Sequence, residues 1–282
     1  MATTDQFTIQ GSLLPNRHSV RLLGGATDCS VQIDAAAVAA GGTDANGTIT
    51  AWVMIPDLAT TTGTILGFGD DNVVEFLQFS IEAGLLTMRS TDATVAQFVS
   101  QADAVGLKAH NWHHVAVTQP ADGGGVRFFI DGEPIASTND TTTDVDSWAS
   151  ELAGLDKGFI GVANKAGNSS ETEELAGYVN SVRYYSVVKT AAEIKAIYDF
   201  ERDGTGSDDT TSLRNHWPLE EDLLDDGTGA DNGTAVGGAI LVNSANEFTS
   251  RLTFKTGVPV VADITNIAMT KEKGFAYVIQ AA

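Results

Sequence analysis

The chain is poor in the residues that most catalytic and targeting motifs require. Cys29 is the one cysteine among 282 residues, so no intrachain disulfide can form and no Cys/His cluster is available for zinc. Basic residues are scarce: 16 Lys and Arg stand against 37 Asp and Glu, a formal net charge of −21. Nucleic acid is held through a basic face that meets its phosphates, so this balance excludes it as a partner. A solvated acidic surface, a salty medium or divalent cations suit such a charge. No apolar run approaches the ~20 residues of a spanning helix, so no membrane partner is expected. The start, Met-Ala-Thr-Thr-Asp-Gln, has neither the basic nor the apolar region of a secretory signal. The chain is therefore expected to fold in the cytoplasm where it is made, and the Asn-x-Ser/Thr sequons at Asn46, Asn139, Asn168 and Asn232 to be ordinary turn residues. G-x-S-x-G and Walker sequences are also missing.

What is present favours strands. The hydrophobic fraction is 43%, with 29 glycines, which suits a sizeable core and many turns. Val126, Phe128 and Ile130 alternate with Arg127, Phe129 and Asp131, the period of a strand with one face in a core. Asp131-Gly132 then supplies the positive φ angles of a tight hairpin. Val115 and Val117 repeat the alternation one strand earlier. Further runs at 48–55, 65–68, 73–81, 85–89, 95–99, 158–162 and 175–185 recur at the spacing of an all-β sandwich. Trp52, Trp112, Phe128 and Ile130 are the expected core. One helix is signalled: Thr190 and Glu193 form a T-x-x-E capping box, and Ile194, Ile197 and Tyr198 share one stripe. It should run from about Ala191 to about Phe200. The polar run Asp203–Asp209 reads as a surface loop.

Several stretches resemble one family in its own order. Trp112-His113-His114-Val115-Ala116, then Val126 to Ala136 with Asp131-Gly132, resemble the signature of laminin G-like and pentraxin-like domains. Gly47-Thr48-Ile49-Thr50-Ala51-Trp52-Val53 resembles the family's early strand, and Leu175 to Tyr185 a later one, with the Thr190–Tyr198 helix after it. The resemblance implies a concanavalin A-like jelly roll of two antiparallel sheets with one short helix. The implied division is an arm over 1–24, a jelly-roll domain over 25–245, and an arm or extra strands over 246–282. Leu213 to Glu221 and Asp231 to Ala239 resemble the strand pair that usually opens such a domain, yet they follow the helix. The reading preferred is that they supply outer strands of the same sandwich in permuted order, since about forty residues are too few for a second sandwich.

The resemblance also supplies the site candidates. Pentraxins bind calcium with an Asp-Asn pair, and Asp71-Asn72 with Asp70 matches it in hard oxygen ligands. Against it, Ala163-Asn164-Lys165 places a lysine where the family carries acids, and Asn180-Ser181 replaces an Asp-Glu. Glu171, Glu173 and Glu174 are the possible compensation. The alternative is a plain turn with no cofactor. His110 and His114 would lie about 13 Å apart on a strand, too far to share a metal. Glycosidases occur on the same jelly roll, but they need two carboxylates about 5 Å apart, and their E-x-D-x-x-E strand is missing. No enzyme activity is expected.

Two functions follow. One is a structural protein of a virus particle, a capsid decoration or tail-appendage subunit, because domains resembling this one are common on tailed phages. Its partners would be viral capsid or tail proteins and further copies of itself, and its place the virion surface. Arg17, Arg21, Arg251, Lys255, Lys271 and Lys273 put positive charge in the arms for this purpose. The other is a carbohydrate-binding lectin or adhesin module for host-surface glycans, with Trp148 in the loop 144–151 as the candidate ligand residue.

Overall fold

The computed structural model describes residues 8–10, 18–24, 29–167, 171–243, 267–272 and 276–281. Strands β1 (Thr8–Gln10), β2 (His18–Leu23) and β3 (Ser30–Gln32) precede helix α1 (Asp34–Thr43). After β4 (Gly47–Met54), the strands β5 (Thr62–Gly69), β6 (Phe76–Glu82), β7 (Leu85–Asp92) and β8 (Val95–Ala102) form an antiparallel meander. Its turns Ala83-Gly84 and Ala93-Thr94 take the positive φ angles of two-residue hairpins. Next come β9 (Trp112–Gln119), β10 (Arg127–Ile130), β11 (Glu133–Ile135), β12 (Ser137–Thr142) and β13 (Lys157–Ile160). The short β14 (Ala163–Asn164) and β15 (Glu171–Thr172) and the long β16 (Ala176–Tyr185) lead to helix α2 (Ala191–Asp203). The chain then adds β17 (Leu213–Trp217), β18 (Thr234–Val236), β19 (Ile240–Asn243), β20 (Ile267–Glu272) and β21 (Ala276–Ala281).

Two antiparallel sheets of eight strands each make the sandwich. The first has the order β11-β10-β9-β4-β16-β2-β19, with β17 also paired to β16; the second has the order β12-β8-β7-β6-β5-β13-β3-β18. Residues 213–243 thus supply three strands to the same sandwich: β17 pairs with β16, β18 with β3, and β19 with β2. The strand at 18–23, which the sequence assigns to an arm, pairs with β16 inside the first sheet and includes Arg21. Pro15, Arg17, Asn168, Arg251, Lys255 and Lys273 lie outside the described residues. Of the two ends, β1 pairs with β21 and β21 with β20, forming a separate three-stranded sheet.

The core lies between the two large sheets. Alternation sends Leu77, Phe79 and Ile81 of β6, Val115 and Val117 of β9, and Phe128 and Ile130 of β10 inward. Phe79 stacks on Phe128 with centroids 6.3 Å apart. Trp52 and Trp112 are buried but not there. Ile49, Ala51 and Val53 of β4 take the inward positions, so Trp52 faces the other way. It joins Trp112, Met54, Tyr178 and Tyr198 in a second cluster on the outer face of the first sheet.

Helix α2 covers much of that outer face, which is why Phe129 is buried as well as Phe128. Ile194 packs on Ala116 and Phe129, and Ile197 on Tyr185 and Leu213. Burying one such side chain contributes about 1.5–3 kcal/mol. The capping box is formed: Glu193 donates its backbone N–H to the Thr190 side chain, and the Glu193 carboxylate accepts from the Thr190 backbone N–H at 2.7 Å. The helix runs a turn past Phe200 because Gly204, at φ 73°, supplies the left-handed terminus. Helix α1 is an addition to the expected single helix. Its D-A-A-A-V-A-A run is short and mostly alanine, the strongest helix former, yet it has no amphipathic period to announce it. The second strand of the meander begins at Phe76 rather than Val73, because residues 70–75 close a turn with Asp70 N–H donating to the Glu75 carbonyl at 3.0 Å.

Candidate functional site

The expected calcium residues form a tight turn at the end of β5. Asp70 Oδ1 accepts from the Asn72 backbone N–H at 2.6 Å, and the Gly154 backbone crowds its other oxygen so closely that no side chain fits there. Asp71 Oδ1 accepts from Asn164 Nδ2 at 2.8 Å, while its Oδ2 faces the Lys157 ammonium at 3.7 Å. Glu173, a proposed compensating acid, is paired with Lys165 instead; the Glu171 side chain lies outside the described residues. The oxygens of Asp70, Asp71 and Asn72 therefore do not converge on an ion. Among the described residues, no group of three or more His, Cys, Asp or Glu is placed to hold a metal.

Trp148 is also corrected. It is fully buried in the sandwich core, where its indole Nε1 donates to the Tyr184 hydroxyl at 3.2 Å. A Cβ at residue 47 would come within 2.6 Å of that indole nitrogen, so Gly47 is required beneath it. An enclosed indole cannot stack on a surface sugar. The histidines are separate too. His110 is exposed at a turn, whereas His114 is closed in against Trp52, with ring centroids 5.6 Å apart.

A Ser–His pair lies under α2 that the sequence did not signal. Ser181, at φ 45° in a bulge of β16, sits 3.1 Å from His216 Nε2. Its hydroxyl donates to Glu201, so His216 must be the donor to Ser181 and not a base that activates it. Glu201 further accepts from Trp52 Nε1 at 2.9 Å and lies 2.7 Å from Arg183 Nε. Burial, with Arg183 adding, pushes His216 down to about 3. Burial likewise lowers His114, against the pull of Glu201. This network fastens the helix to the sheet.

The outer face of the second sheet is polar around β6. Leu77, Phe79 and Ile81 point into the core, so Gln78, Ser80 and Glu82 point outward from β6. The register places Gln78 between Gly67 and Arg89, Ser80 between Thr64 and Thr87, and Gln101 beyond Thr87. Gln78, Ser80, Thr64 and Thr87 are nevertheless fully buried. The residues around β14 and β15 fold over one side of this face, and a Cβ at Gly67 would stand 3.1 Å from the Val162 carbonyl oxygen. That close approach brings Glu173 over Gln78, which donates to it and, at 2.7 Å, to Thr64 Oγ1.

Around this floor stand paired charges. Arg89 Nη2 donates to Glu82 Oε2 at 2.7 Å, and Lys165 pairs with Glu173. Burial opposes the ionisation of Glu173, yet Lys165, Gln78 and Arg89 outweigh it and hold its carboxyl below the usual range. Burial also lowers Arg89, against Glu173. One floor atom stays unsatisfied: Gln78 Oε1 has no hydrogen-bond partner. The face thus combines hydroxyls, planar amides and one open acceptor within a charged rim.

The family model described as the concanavalin A-like lectin/glucanases superfamily, of laminin G type, matches residues 25–195. No curated protein matches the chain. Among solved structures, the heptameric SAP-like pentraxin of Limulus polyphemus shares the fold at a TM-score of 0.55 and 10% identity, over 81% of this chain and 96% of that one. The CBM40 module of Ruminococcus gnavus IT-sialidase, bound to α2,3-sialyllactose, aligns at a TM-score of 0.52 and 16% identity, over 67% of this chain and 99% of that one. With its two antiparallel sheets and a family match over most of the sandwich, the chain belongs to the laminin G-like branch of the concanavalin A-like lectin/glucanases superfamily.

Proposed function

We propose that this chain is a non-enzymatic carbohydrate-binding protein that takes glycans on the outer face of its second sheet. The observation that carries the reading is a polar outer face on neighbouring strands, with Arg89 opposite Gln78 and Gln101 beyond Thr87, of which Arg89 and Gln101 reach the surface. Arg89 and Gln101 at the rim, both partly exposed, offer further donors at the spacing of adjacent strands. The solved CBM40 neighbour is a carbohydrate-binding module bound to sialyllactose, on the same fold. The non-enzymatic part rests on chemistry. The Ser181 proton is committed to Glu201, and the acids of the polar face are paired with Arg89 and Lys165. Neither arrangement leaves a nucleophile with a base. Titration calorimetry with a glycan taken from an array should give a dissociation constant that rises tenfold or more in Arg89→Ala. An array with no binding, or Arg89→Ala binding as well as the parent, ends this reading.

A second reading is favoured by the two ends. β1 and β21 pair across the whole length of the chain into a sheet separate from the sandwich. That division suits a subunit of a virus particle, capsid decoration or tail appendage, that attaches by its ends and presents the sandwich from the virion surface. Its partners would be capsid or tail proteins and further copies of itself. Deletion of residues 2–14 or 266–282 should abolish attachment to particles while the sandwich still melts cooperatively. Attachment equal to that of the full chain in both truncations would remove it.

A further inference from the structure

The cations of the polar face are already committed to carboxylates, and this decides which sugars the face can take. Among the described residues, the outer face of the second sheet and the β14–β15 residues over it carry Arg89 of β7, Lys157 of β13 and Lys165 just after β14. Lys157 shares that face because it pairs with Gly69, next to the inward Phe68. Glu82 of β6 holds Arg89 with both oxygens: Nη2 donates to Oε2 at 2.7 Å, and Nη1 meets Oε1. Such a two-pronged pair occupies the guanidinium edge that a ligand's acid group would need. Lys165 reaches Glu173 Oε1 at 2.5 Å, and its ammonium lies 5.3 Å from the centre of the Phe76 ring. Lys157 stands 3.7 Å from Asp34 and 3.7 Å from Asp71.

Around the floor the charges cancel, Arg89 and Lys165 against Glu82 and Glu173, 2 − 2 = 0. All four side chains are partly exposed, so a ligand meets them as pairs. An anionic sugar would have to draw Arg89 or Lys165 from its carboxylate and leave that carboxylate beside a second negative charge. It would also approach a chain of net charge −21. A neutral sugar meets no such conflict. Each hydroxyl both donates and accepts, so a vicinal pair can accept from Arg89 and donate to Glu82 without parting them. Gln101, beyond Thr87 in the register, adds an amide that also does both. We propose that the face selects uncharged glycans, and that Glu82 and Glu173 are the residues that exclude sialylated and sulfated ones. This selectivity rests on the glycan reading above and adds to it the class of sugar.

An array of neutral oligosaccharides printed beside their sialylated and sulfated forms, lactose and 3′-sialyllactose among them, tests this on the full chain. In each bound pair the neutral member should bind at least about tenfold more tightly. Raising salt from about 0.1 M to about 1 M cuts the screening length from roughly 10 Å to roughly 3 Å and should leave the neutral sugar's dissociation constant within about twofold. Glu82→Gln frees the Arg89 guanidinium and should narrow the preference about tenfold by admitting the acidic form. Glu173→Gln frees Lys165 and serves in its place if Glu82→Gln folds poorly. An acidic form bound by the parent chain as tightly as its neutral partner, or a preference unchanged in a folded variant, overturns the selectivity and leaves the glycan reading standing. Binding to no printed sugar removes that reading and the selectivity with it.

Discussion

Trp148 and Tyr184 meet inside the sandwich, indole N–H to hydroxyl, at 3.2 Å. The bond ties the loop before β13 to the C-terminal end of β16, and Gly47 leaves the space that lets the indole reach it. Tyr184→Phe keeps the ring and strands a buried donor, at a cost of about 1–3 kcal/mol. Trp148→Ala empties the site as well, at about 3–5 kcal/mol. Urea titrations check both figures. A cost below about 0.5 kcal/mol for Trp148→Ala would place the indole outside the core.

Glu201 anchors α2 through Arg183, Trp52 and Ser181. Glu201→Ala leaves the buried Arg183 guanidinium with Asp208 as its remaining acid. Removing one partner of a buried pair costs about 3–5 kcal/mol. Hydrogen exchange should show α2 opening before the sheets. Uniform loss of protection across the whole sandwich would contradict a local role.

Acid should weaken the fold through His216. Its folded value, pushed down to about 3 by burial and Arg183, lies below the ordinary 6.5. Its contribution is therefore complete above pH 6.5 and is lost as pH falls from there towards 3. Between pH 6.5 and 5 this single group removes at most about 2 kcal/mol. His216→Gln keeps a neutral donor and cannot gain the proton. Its stability should fall less than the parent's over that interval, measured by urea midpoints at both pH values. Equal falls would mean that His216 is protonated in the folded state.

Ending the chain at Asp203 would remove β17, β18 and β19 and bare the edges of β3 and β2. Exposed edges associate, so light scattering should show aggregates. A soluble truncated chain with one cooperative transition would make 204–282 a separate unit.

The strands were legible because their alternation is physical: β9, β10 and β16 carry apolar residues at period two. Helix α2 was legible through Thr190 and Glu193. Helix α1 was not, since an alanine run has propensity without period. Trp52 shows the limit of alternation. Its strand is plain in the sequence, but α2 buries the outer face too, so an aromatic residue on either face reads as core. The polar face was hidden for a related reason. Gln78, Thr64 and Arg89 lie on three different strands, and only the strand register brings them together, with Glu173 over them. Trp148 misled because a tryptophan among Asp and Ser resembles a surface residue until the loop folds inward.

The central claim is that the outer face of the second sheet binds sugar, and hydrogen exchange with and without an array-selected glycan tests it most directly. The account predicts slowed exchange confined to β6, β7, β8, β14 and β15, with α2 and the 225–231 loop unchanged. Slowed exchange only on the first sheet, or none at saturating glycan, would contradict it.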